Sequence, residues 1–208
     1  EIAPGEGVLS EEGVQECPST QAYWVVDPLD GTTNFAAGIP YWAISIARFV
    51  DGEPSEAFLD IPSLRQRIVA IRGQGAWRNQ KRLTPESRAA AGSSCVSLCS
   101  RSIRVLQKRP DQSFPGKIRL LGVASLNLVS VAMGQTAGAL EATPKIWDLA
   151  AAWLVLTELE CPLIWLGPHP AHLQPGRDLS EMGFPVVAAG SQKQLERLAP
   201  WGESLLKG

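Results

Sequence analysis

Apolar residues in the first half of the chain occur in short runs that end at turn-forming residues. The run at 23–26 ends before Pro28, and the run at 41–50 ends at Asp51 and Gly52. Proline lacks a backbone donor, and aspartate and glycine favour turns, so both runs predict strands. Residues 56–59, 67–71 and 75–78 show the same pattern. Because the connections are short, we expect neighbouring strands to pair antiparallel.

A helical pattern replaces this one in the second half of the chain. Apolar residues recur at helical intervals over 125–133 and 148–160. Two short extended runs predict further strands, at 137–142 and 186–189. Ser191 is placed to cap a last helix over 192–198. Strands and helices interleave without a regular βαβ repeat, which favours an α+β fold with layered mixed sheets over a doubly wound parallel sheet.

Composition limits the classes of partner. The 208 residues are 45% apolar, with 19 basic and 21 acidic residues and no block of like charges. A chain of this length buries roughly 70% of the surface that its unfolded form exposes, enough for a sizeable core. The balanced charge argues against a nucleic-acid partner. No apolar run approaches the roughly 20 residues that a membrane span requires, so we expect no membrane partner.

Cysteine usage and the first residue bear on location. The four cysteines have neither zinc-ligand spacing nor the density of a disulfide scaffold, which indicates a reducing compartment. The cytoplasm is therefore the expected location. The chain begins with Glu1 and not with Met, which leaves open a targeting segment upstream.

The most informative stretch is WVVDPLDGTTNF at 24–35. A strand would bring Asp27 to its carboxyl end, and the turn at Pro28 would let Asp30 converge on the same point. The same turn would free the carbonyl of Leu29 from strand pairing, so that three hard oxygen donors meet. Aspartates beside proline and glycine are also ordinary turn residues, and a bare DPxDG pattern leaves that alternative open.

An anion site would follow directly in the chain. Gly31 allows close approach of the backbone, and the amides of Gly31 and Thr32 can face an anion held by metal ions. The stretch therefore predicts a phosphate site built around metal ions.

Two further acidic positions can complete such a site. Glu11 and Glu12 follow a short apolar pair, and by themselves they are typical of a solvated turn. Asp148 follows Trp147 and opens an apolar helix at 149–159, where aspartate is a favoured N-cap. We interpret Asp148 as both the N-cap and a metal ligand, because the helix fixes the direction of a carboxylate at its start.

Three motifs in this order resemble those of the inositol monophosphatase-like, lithium-sensitive, magnesium-dependent phosphatases. They are an acidic pair after a strand at 10–13, the signature DPxDGTTNF at 27–35 and WDxAA at 147–151. The nonapeptide is highly specific by itself. The resemblance extends from about residue 8 to about residue 198 and includes GAWRN at 75–79 and GVASLNL at 122–128. It implies a sugar-phosphatase-like fold, a layered αβαβα sandwich with mixed, largely antiparallel sheets.

The resemblance also implies a metal centre. Its ligands for two to three Mg²⁺ ions would be Glu11, Asp27, the Leu29 carbonyl, Asp30 and Asp148. An all-oxygen set without His or Cys suits Mg²⁺ or Mn²⁺ better than zinc. One ion would activate a water that Glu11 and Thr32 orient for in-line attack, and another would take the charge of the leaving alkoxide. Glu11, Asp30 and Thr32 are then the expected catalytic residues.

Substrate contacts follow from the resemblance in the same way. The expected contacts are Gly31, Thr32, the backbone at Gly122, Val123 and Ala124, and Glu141, which would bind a sugar or inositol hydroxyl. The alternative for Glu141 is an exposed charge at a strand end. Val123 stands where many relatives carry Ser or Thr, which removes one polar contact and argues against myo-inositol phosphate itself as the substrate.

Two other departures concern the chain around the site. Residues 158–162 read ELECP, where the family usually has an acidic residue followed by Ala and two glycines, so we expect different packing after the helix. Relatives carry two helices before the acidic pair, whereas ten residues precede Glu11 here. We expect residues 1–208 to form a single domain of this type that lacks the N-terminal helical segment.

The leading hypothesis is a metal-dependent phosphomonoesterase that hydrolyses a small polyol or sugar phosphate. Fructose-1,6-bisphosphatase and histidinol-phosphatase specificities are the alternatives within the family. Thr33 stands where the nucleotide-phosphate branch usually has Lys, which argues against that branch. A non-catalytic homologue that binds metal or phosphate is the alternative of another class. The resemblance further implies a homodimer.

Overall fold

The computed structural model describes residues 3–206, except for the side chains of 89–91, 172 and 206. The strands are β1 (Gly7–Ser10), β2 (Ala22–Asp30), β3 (Ala43–Val50), β4 (Glu53–Ile61), β5 (Gln66–Ile71), β6 (Gly75–Arg78), β7 (Lys81–Leu83), β8 (Cys95–Leu98), β9 (Lys117–Arg119), β10 (Gly138–Glu141), β11 (Leu163–Trp165) and β12 (Val186–Ala189). The helices are α1 (Thr32–Ala36), α2 (Pro85–Ala91), α3 (Arg104–Gln107), α4 (Ala124–Ala132), α5 (Ile146–Glu158) and α6 (Gln192–Leu206).

The first half of the chain forms a seven-stranded sheet in the order β1 to β7. β1 pairs parallel with β2, and each later pair of neighbours is antiparallel, which confirms the prediction from the short connections. Successive side chains of a strand point to opposite faces of the sheet. Tyr23 and Val25 of β2 and Ala47 and Phe49 of β3 are buried on the face that packs against helices.

β2 is longer than the sequence pattern predicts. The pattern places its end before Pro28, but the strand continues to Asp30. The pairing register with β3 shifts between Asp27 and Asp30, so Pro28 lies in an irregular stretch where no regular ladder donor is needed. The extension carries both aspartates to one edge of the sheet.

The second half forms a five-stranded sheet in the order β11, β12, β10, β8, β9. β8 is parallel to β9 and β10, and β12 is antiparallel to β10 and β11. α4 and α5 lie between the sheets, since α5 contacts β2 to β6 and α4 contacts α5 and β10. α6 packs on the opposite face of the five-stranded sheet, beside α3. The described chain therefore has β, α, β and α layers, and the prediction of a layered mixed-sheet α+β fold is confirmed.

α5 is apolar around most of its circumference because the seven-stranded sheet covers one side and α4 covers another. All residues at 149–156 are buried. At its end, the two carboxylate oxygens of Glu158 accept hydrogen bonds from the backbone N–H groups of Gly73 at 2.8 Å and Gly75 at 2.7 Å. Glu158 thereby ties the end of α5 to the turn between β5 and β6.

α6 extends beyond the predicted range of 192–198 and passes through Pro200 to Leu206. Its buried residues form a stripe against the five-stranded sheet: Leu195, Leu198, Trp201 and Leu205. This burial offsets the helical hydrogen bond that Pro200 cannot donate. The predicted cap is confirmed, because Ser191 Oγ accepts from the backbone N–H of Gln194 at 3.3 Å. None of the helices described within 3–206 combines the length and the apolar character that a bilayer crossing requires.

Candidate metal and phosphate site

Three acidic side chains from distant parts of the chain meet at one edge of the seven-stranded sheet. Glu11 follows β1, Asp27 lies near the end of β2, and Asp148 lies in the first turn of α5. Because β1 and β2 are parallel, they end together, and the N–H of Glu11 donates to the carbonyl of Val26 at 3.2 Å. One carboxylate oxygen from each of the three acidic residues lies within 4.8 Å of the other two. We call Glu11, Asp27 and Asp148 the acidic cluster.

Asp27 is the most deeply buried member of the acidic cluster, with 1% of its surface exposed. Its Oδ1 accepts a hydrogen bond from the N–H of Leu29 at 2.9 Å, whereas its Oδ2 is buried without a partner among the described residues. Burial, and then the nearby carboxylates of Asp30 and Glu11, raise the pKa of Asp27 to about 9. The unpartnered Oδ2 therefore fits the role of a cation ligand.

Asp30 lies beside the acidic cluster and is held by α4. Its Oδ2 accepts a hydrogen bond from the N–H of Ser125 at 2.7 Å, and the backbone of Ala124 also bonds its carboxylate. Both donors belong to the first turn of α4, where the helix dipole favours negative charge. Burial raises the pKa of Asp30 to about 6, and the hydrogen bonds from α4 oppose that rise. α4 thus fixes the direction of a carboxylate that reached the site on β2.

Asp148 is not the N-cap that the sequence predicts. The N-cap of α5 is Lys145, and Asp148 is the third residue of the helix. Its Oδ2 accepts a hydrogen bond from the backbone N–H of Lys145 at 2.7 Å, so it caps the helix from inside the first turn. Burial, and then the charge of Asp30, raise the pKa of Asp148 to about 7. The helix start still sets the direction of this carboxylate.

The turn after β2 places backbone and hydroxyl groups next to the aspartates. Gly31 has a φ of +93°, and a Cβ there would lie 2.7 Å from Cγ2 of Val123, so conformation and packing both require glycine. Thr32 is exposed at the start of α1, and its hydroxyl donates to the carbonyl of Leu29 at 3.1 Å. Leu29 and Thr32, both predicted at the site, are therefore in direct contact.

Asn34 joins this turn to the segment before α4. Its Nδ2 donates to the carbonyl of Leu121 at 2.8 Å and to a second carbonyl, in the loop after α1, at 2.9 Å. Gly122 has a φ of +77°, and a Cβ there would lie 3.3 Å from Oδ1 of Asn34. Val123 is 1% exposed, so its side chain does not line an open pocket. Any contact that this residue makes with a ligand must come from its backbone.

Glu141 lies at the end of β10 and is 2% exposed, so the alternative of an exposed strand-end charge is wrong. Its Oε1 accepts a hydrogen bond from Nδ2 of Asn127 at 2.8 Å. Cys99, which follows β8, lies beside the end of β10: its N–H donates to the carbonyl of Leu140 at 3.3 Å, and its Sγ accepts from the N–H of Ala142 at 3.4 Å. Burial raises the pKa of Glu141 to about 8, the bond from Asn127 opposes the rise, and the charge of Asp30 adds to it.

The chemistry of the acidic cluster fits a hard divalent cation. Its grouped ligands are carboxylates only, the type that Mg²⁺ prefers. Burial and neighbouring carboxylates raise the pKa of Asp27 and of Asp148, and positive charge between the carboxylates would relieve that repulsion. Oδ2 of Asp27 is buried without a hydrogen-bond partner among the described residues, so a cation would also satisfy this oxygen.

Sequence reasoning misses the groups that orient the carboxylates. The backbone amides of Ser125 and Lys145 carry no residue-specific signal, because every residue except proline has one. Asn127 did carry a signal, since it is a polar residue inside the apolar stretch SLNLVSV. A buried amide in such a helix needs a partner, and here that partner is Glu141.

The layered fold and the acidic cluster place the chain among the metal-dependent phosphatase folds. The chain belongs to the inositol monophosphatase family, whose model matches residues 1–199.

Individual relatives agree with this assignment. The chain is 36% identical over 163 residues to an inositol-1-monophosphatase of Rhizobium meliloti (strain 1021), covering 74% of this chain and 61% of that protein. It is 35% identical over 180 residues to a histidinol-phosphatase of Mycobacterium tuberculosis, covering 80% and 69%. The structure of inositol monophosphatase II of Staphylococcus aureus matches with a TM-score of 0.77 and 25% identity, over 99% of this chain and 79% of that one. The chain thus spans about three fifths of the length of the inositol-1-monophosphatase that it matches.

Proposed function

We propose that the protein is a metal-dependent phosphomonoesterase that hydrolyses a small polyol or sugar phosphate of the inositol monophosphate type. The observation that carries this proposal is the acidic cluster, whose three carboxylates lie within 4.8 Å of one another beside the glycine turn at Gly31. Buried like charges at this distance oppose one another unless cations join them. The backbone amides of the turn would face the oxygens of a phosphate bound beside the acidic cluster.

Five groups would hold two to three Mg²⁺ ions: Glu11, Asp27, the Leu29 carbonyl, Asp30 and Asp148. Mn²⁺ would suit the same oxygen donors. When bound, the ions neutralise charge on the phosphate and increase the acidity of water at the site.

Residues of the chain would orient the reactants. Glu11 and Thr32 would hold the attacking water in line with the phosphorus, with the Glu11 carboxylate accepting its proton. The amides of Gly31 and Thr32 would face the phosphate oxygens. The first turn of α4 would keep the carboxylate of Asp30 beside the acidic cluster.

The alcohol part of the substrate would lie against the backbone at 122–124 and against Glu141. Because the Val123 side chain is buried, only the backbone groups of this residue would contact the alcohol. Glu141 would accept a hydroxyl of the alcohol through the small part of its carboxylate that stays accessible.

Histidinol-phosphatase specificity is a second candidate, supported by the 35% identity to the enzyme of that name from M. tuberculosis. Fructose-1,6-bisphosphatase specificity is a further alternative.

The test is release of inorganic phosphate by the full-length protein with Mg²⁺. The panel is inositol 1-phosphate, fructose 1,6-bisphosphate, histidinol phosphate and p-nitrophenyl phosphate. We expect hydrolysis of at least one sugar or polyol ester, and a loss of at least about 100-fold in Asp30→Asn. Asp111→Asn, an exposed aspartate in a loop, is the matched control. No hydrolysis of any ester, or full activity in Asp30→Asn, would contradict the proposal.

The same measurement separates the enzyme from a non-catalytic homologue, which would bind phosphate with Mg²⁺ but release none from any ester. We further propose that the protein is a homodimer, as the resemblance implies, and that it lies in the cytoplasm, as the cysteine usage indicates. Analytical ultracentrifugation of the full-length protein tests the dimer.

A further inference from the structure

Glu11 and Asp148 reach the acidic cluster from less regular positions than Asp27 does. Asp27 lies within the paired strand β2, whereas Glu11 lies in the loop after β1 and Asp148 in the first turn of α5. The relative position of a loop and a helix start depends on what joins them. Residues 176–180, outside the candidate site, make hydrogen bonds to both regions. We call residues 176–180 the bridging segment.

The bridging segment pairs with the loop that follows Glu11. The two run antiparallel, and three backbone hydrogen bonds join them: from the N–H of Cys17 to the carbonyl of Arg177 at 2.9 Å, from the N–H of Gly176 to the carbonyl of Cys17 at 2.8 Å, and from the N–H of Leu179 to the carbonyl of Gln15 at 3.0 Å. Gln15 in turn donates from its Nε2 to the carbonyl of Glu11 at 2.6 Å. The bridging segment is therefore linked to the backbone of Glu11 through a single residue.

Lys145 connects the bridging segment to the start of α5. Its Nζ donates a hydrogen bond to the carbonyl of Ser180, and its backbone N–H donates to Oδ2 of Asp148 at 2.7 Å. Oδ1 of Asp178 accepts from the N–H of Ser180 at 2.8 Å and holds this end of the segment in a turn. Lys145 thus contacts the bridging segment through its side chain and a member of the acidic cluster through its backbone.

The bridging segment is anchored in the core, so its position is fixed. Leu179 is fully buried in the same hydrophobic cluster as Cys17 and α5. The chain after the segment is also tied to the residue before Lys145, because the N–H of Phe184 donates to the carbonyl of Pro144 at 2.8 Å. A lysine bonded to an anchored carbonyl is itself held in place, and it restrains the helix start that carries it.

Neutralising an acidic side chain does not explain the place of Lys145. Its ammonium group forms no ion pair with a carboxylate among the residues that the structure describes. Its acceptor is a backbone carbonyl, which carries no net charge. Ordering a lysine side chain costs conformational entropy, so the contact is better explained by the two segments that it holds together.

We propose that Lys145 is a positioning residue for the metal site. Through Ser180 and the bridging segment, it fixes the start of α5 against the loop that carries Glu11, and so sets the distance between the carboxylates of Asp148 and Glu11. Mg²⁺ requires near-ideal octahedral geometry, so its binding is sensitive to that distance. This inference rests on the proposed function, which places Mg²⁺ at the acidic cluster.

Charge and position predict opposite effects of removing the Lys145 ammonium group. Burial raises the pKa of Asp148, and the charge of Lys145 opposes that rise, so the ammonium group acts electrostatically on the acidic cluster. A positive charge there repels Mg²⁺, and its removal by itself would tighten Mg²⁺ binding. Loss of positioning would weaken the binding. The sign of the change therefore separates the two roles.

The experiment measures Mg²⁺ binding to the full-length protein by isothermal titration calorimetry, without substrate. Lys145→Met removes the ammonium group and keeps the backbone N–H, Lys145→Arg keeps a charged donor, and Lys117→Met, at an exposed lysine of β9, is the matched control. We expect Lys145→Met to raise Kd for Mg²⁺ about tenfold, because groups that orient metal ligands contribute to affinity. Lys145→Arg should restore most of the affinity, and Lys117→Met should stay within about twofold of the parent.

Activity gives a second measurement. At saturating Mg²⁺, phosphate release by Lys145→Met from the ester that the parent hydrolyses best should lie within about threefold of the parent value, because Lys145 does not contact the substrate in the proposed function. Tighter or unchanged Mg²⁺ binding in Lys145→Met, or a larger loss of kcat that saturating Mg²⁺ does not restore, would overturn the role of Lys145 and leave the phosphatase proposal standing. Absence of Mg²⁺ binding in the parent would instead count against the proposed function.

If Lys145→Met does not fold, two variants of the exposed Asp178 test the same connection. Asp178→Asn and Asp178→Ala both remove the charge, but only the asparagine keeps an acceptor for the N–H of Ser180. We expect Kd for Mg²⁺ to be about threefold higher in Asp178→Ala than in Asp178→Asn, because the alanine variant loosens the turn whose carbonyl Lys145 binds. Equal values in the two variants would overturn the inference.

Discussion

Asp27 and Glu141 are both almost fully buried carboxylates, yet the fold satisfies them differently. Asp27 keeps one oxygen without a partner and faces two other acidic residues. Oε1 of Glu141 accepts a hydrogen bond from Nδ2 of Asn127. Burial raises the pKa of both. In our proposal a cation from outside the chain would complete the first site, whereas the side chain of Asn127 already holds the carboxylate of the second.

The two sites share an architectural origin. The acidic cluster forms where the parallel strands β1 and β2 end together, and Glu141 lies where the parallel strands β8 and β10 end together. Parallel neighbours bring residues far apart in sequence to one edge of a sheet. A helix then supplies the remaining group, α5 for the acidic cluster and α4 for Glu141.

The largest effect should come from Asp27→Asn. Activity should fall by at least about 1,000-fold, because the substitution removes charge from the centre of the metal ligand set. Metal-free stability at neutral pH should stay equal or rise, because the raised pKa means that Asp27 must take up a proton on folding, whereas the amide is neutral at every pH. Phosphate release with Mg²⁺ and urea unfolding in EDTA measure the two quantities. An active variant, or one destabilised in EDTA by more than about 2 kcal/mol, would contradict this account.

Metal removal should have the next largest effect and should depend on pH. The folded-state pKa values are about 9 for Asp27, about 7 for Asp148 and about 6 for Asp30, each above the ordinary value. Their contribution to metal-free stability is therefore complete below about pH 4 and is lost as the pH rises towards about 9.

We expect Tm in EDTA to fall over that range, and Mg²⁺ to raise Tm at pH 8 to 9 by about 5 °C or more. Thermal unfolding at pH 5, 7 and 9, with EDTA and with Mg²⁺, checks the sign. A Mg²⁺-induced rise in Tm that becomes smaller as the pH increases would contradict the inference that the acidic cluster, unlike Glu141, needs a cation.

Glu141→Gln should have an intermediate effect. The amide keeps the shape of the carboxylate but weakens its acceptance of a substrate hydroxyl, so kcat/KM for the polyol or sugar ester that the parent hydrolyses best should fall about 10-fold to 100-fold. The loss on p-nitrophenyl phosphate should be much smaller. Unlike Asp27→Asn, this variant should retain the stabilising effect of Mg²⁺ on Tm. Loss of that effect would show that Glu141 belongs to the metal site.

The smallest effect should come from Glu158→Ala, at the end of α5 opposite Asp148. Loss of its bonds to Gly73 and Gly75 should cost about 1–2 kcal/mol of unfolding free energy. Activity should stay within about twofold, because the start of α5 remains packed between the sheets. Urea unfolding and phosphate release measure both. A large loss of activity at unchanged stability would mean that this end of the helix is coupled to the site.

Local patterns predicted much of the fold. The antiparallel hairpins of the first sheet and the helices α4 and α5 follow from turn residues and apolar spacing. The predicted ends of β2, before Pro28, and of α6, before Pro200, were wrong, because proline usually interrupts strands and helices. In this chain an irregularity in β2 accommodates Pro28, and the buried stripe of α6 outweighs the hydrogen bond lost at Pro200. Burial in the tertiary structure outweighed the local preference at both positions.

The sequence by itself determined the ligand types, the glycine turn and the order of the motifs, because these depend on side-chain chemistry and on neighbouring residues. The tertiary structure decided which groups orient the carboxylates. Asp148 is held inside a helix turn by the amide of Lys145, Asp30 by that of Ser125, and Glu141 by Asn127. For Asp30 and Glu141 these contacts join residues distant in sequence or use backbone groups, which only the packing of sheets and helices can align.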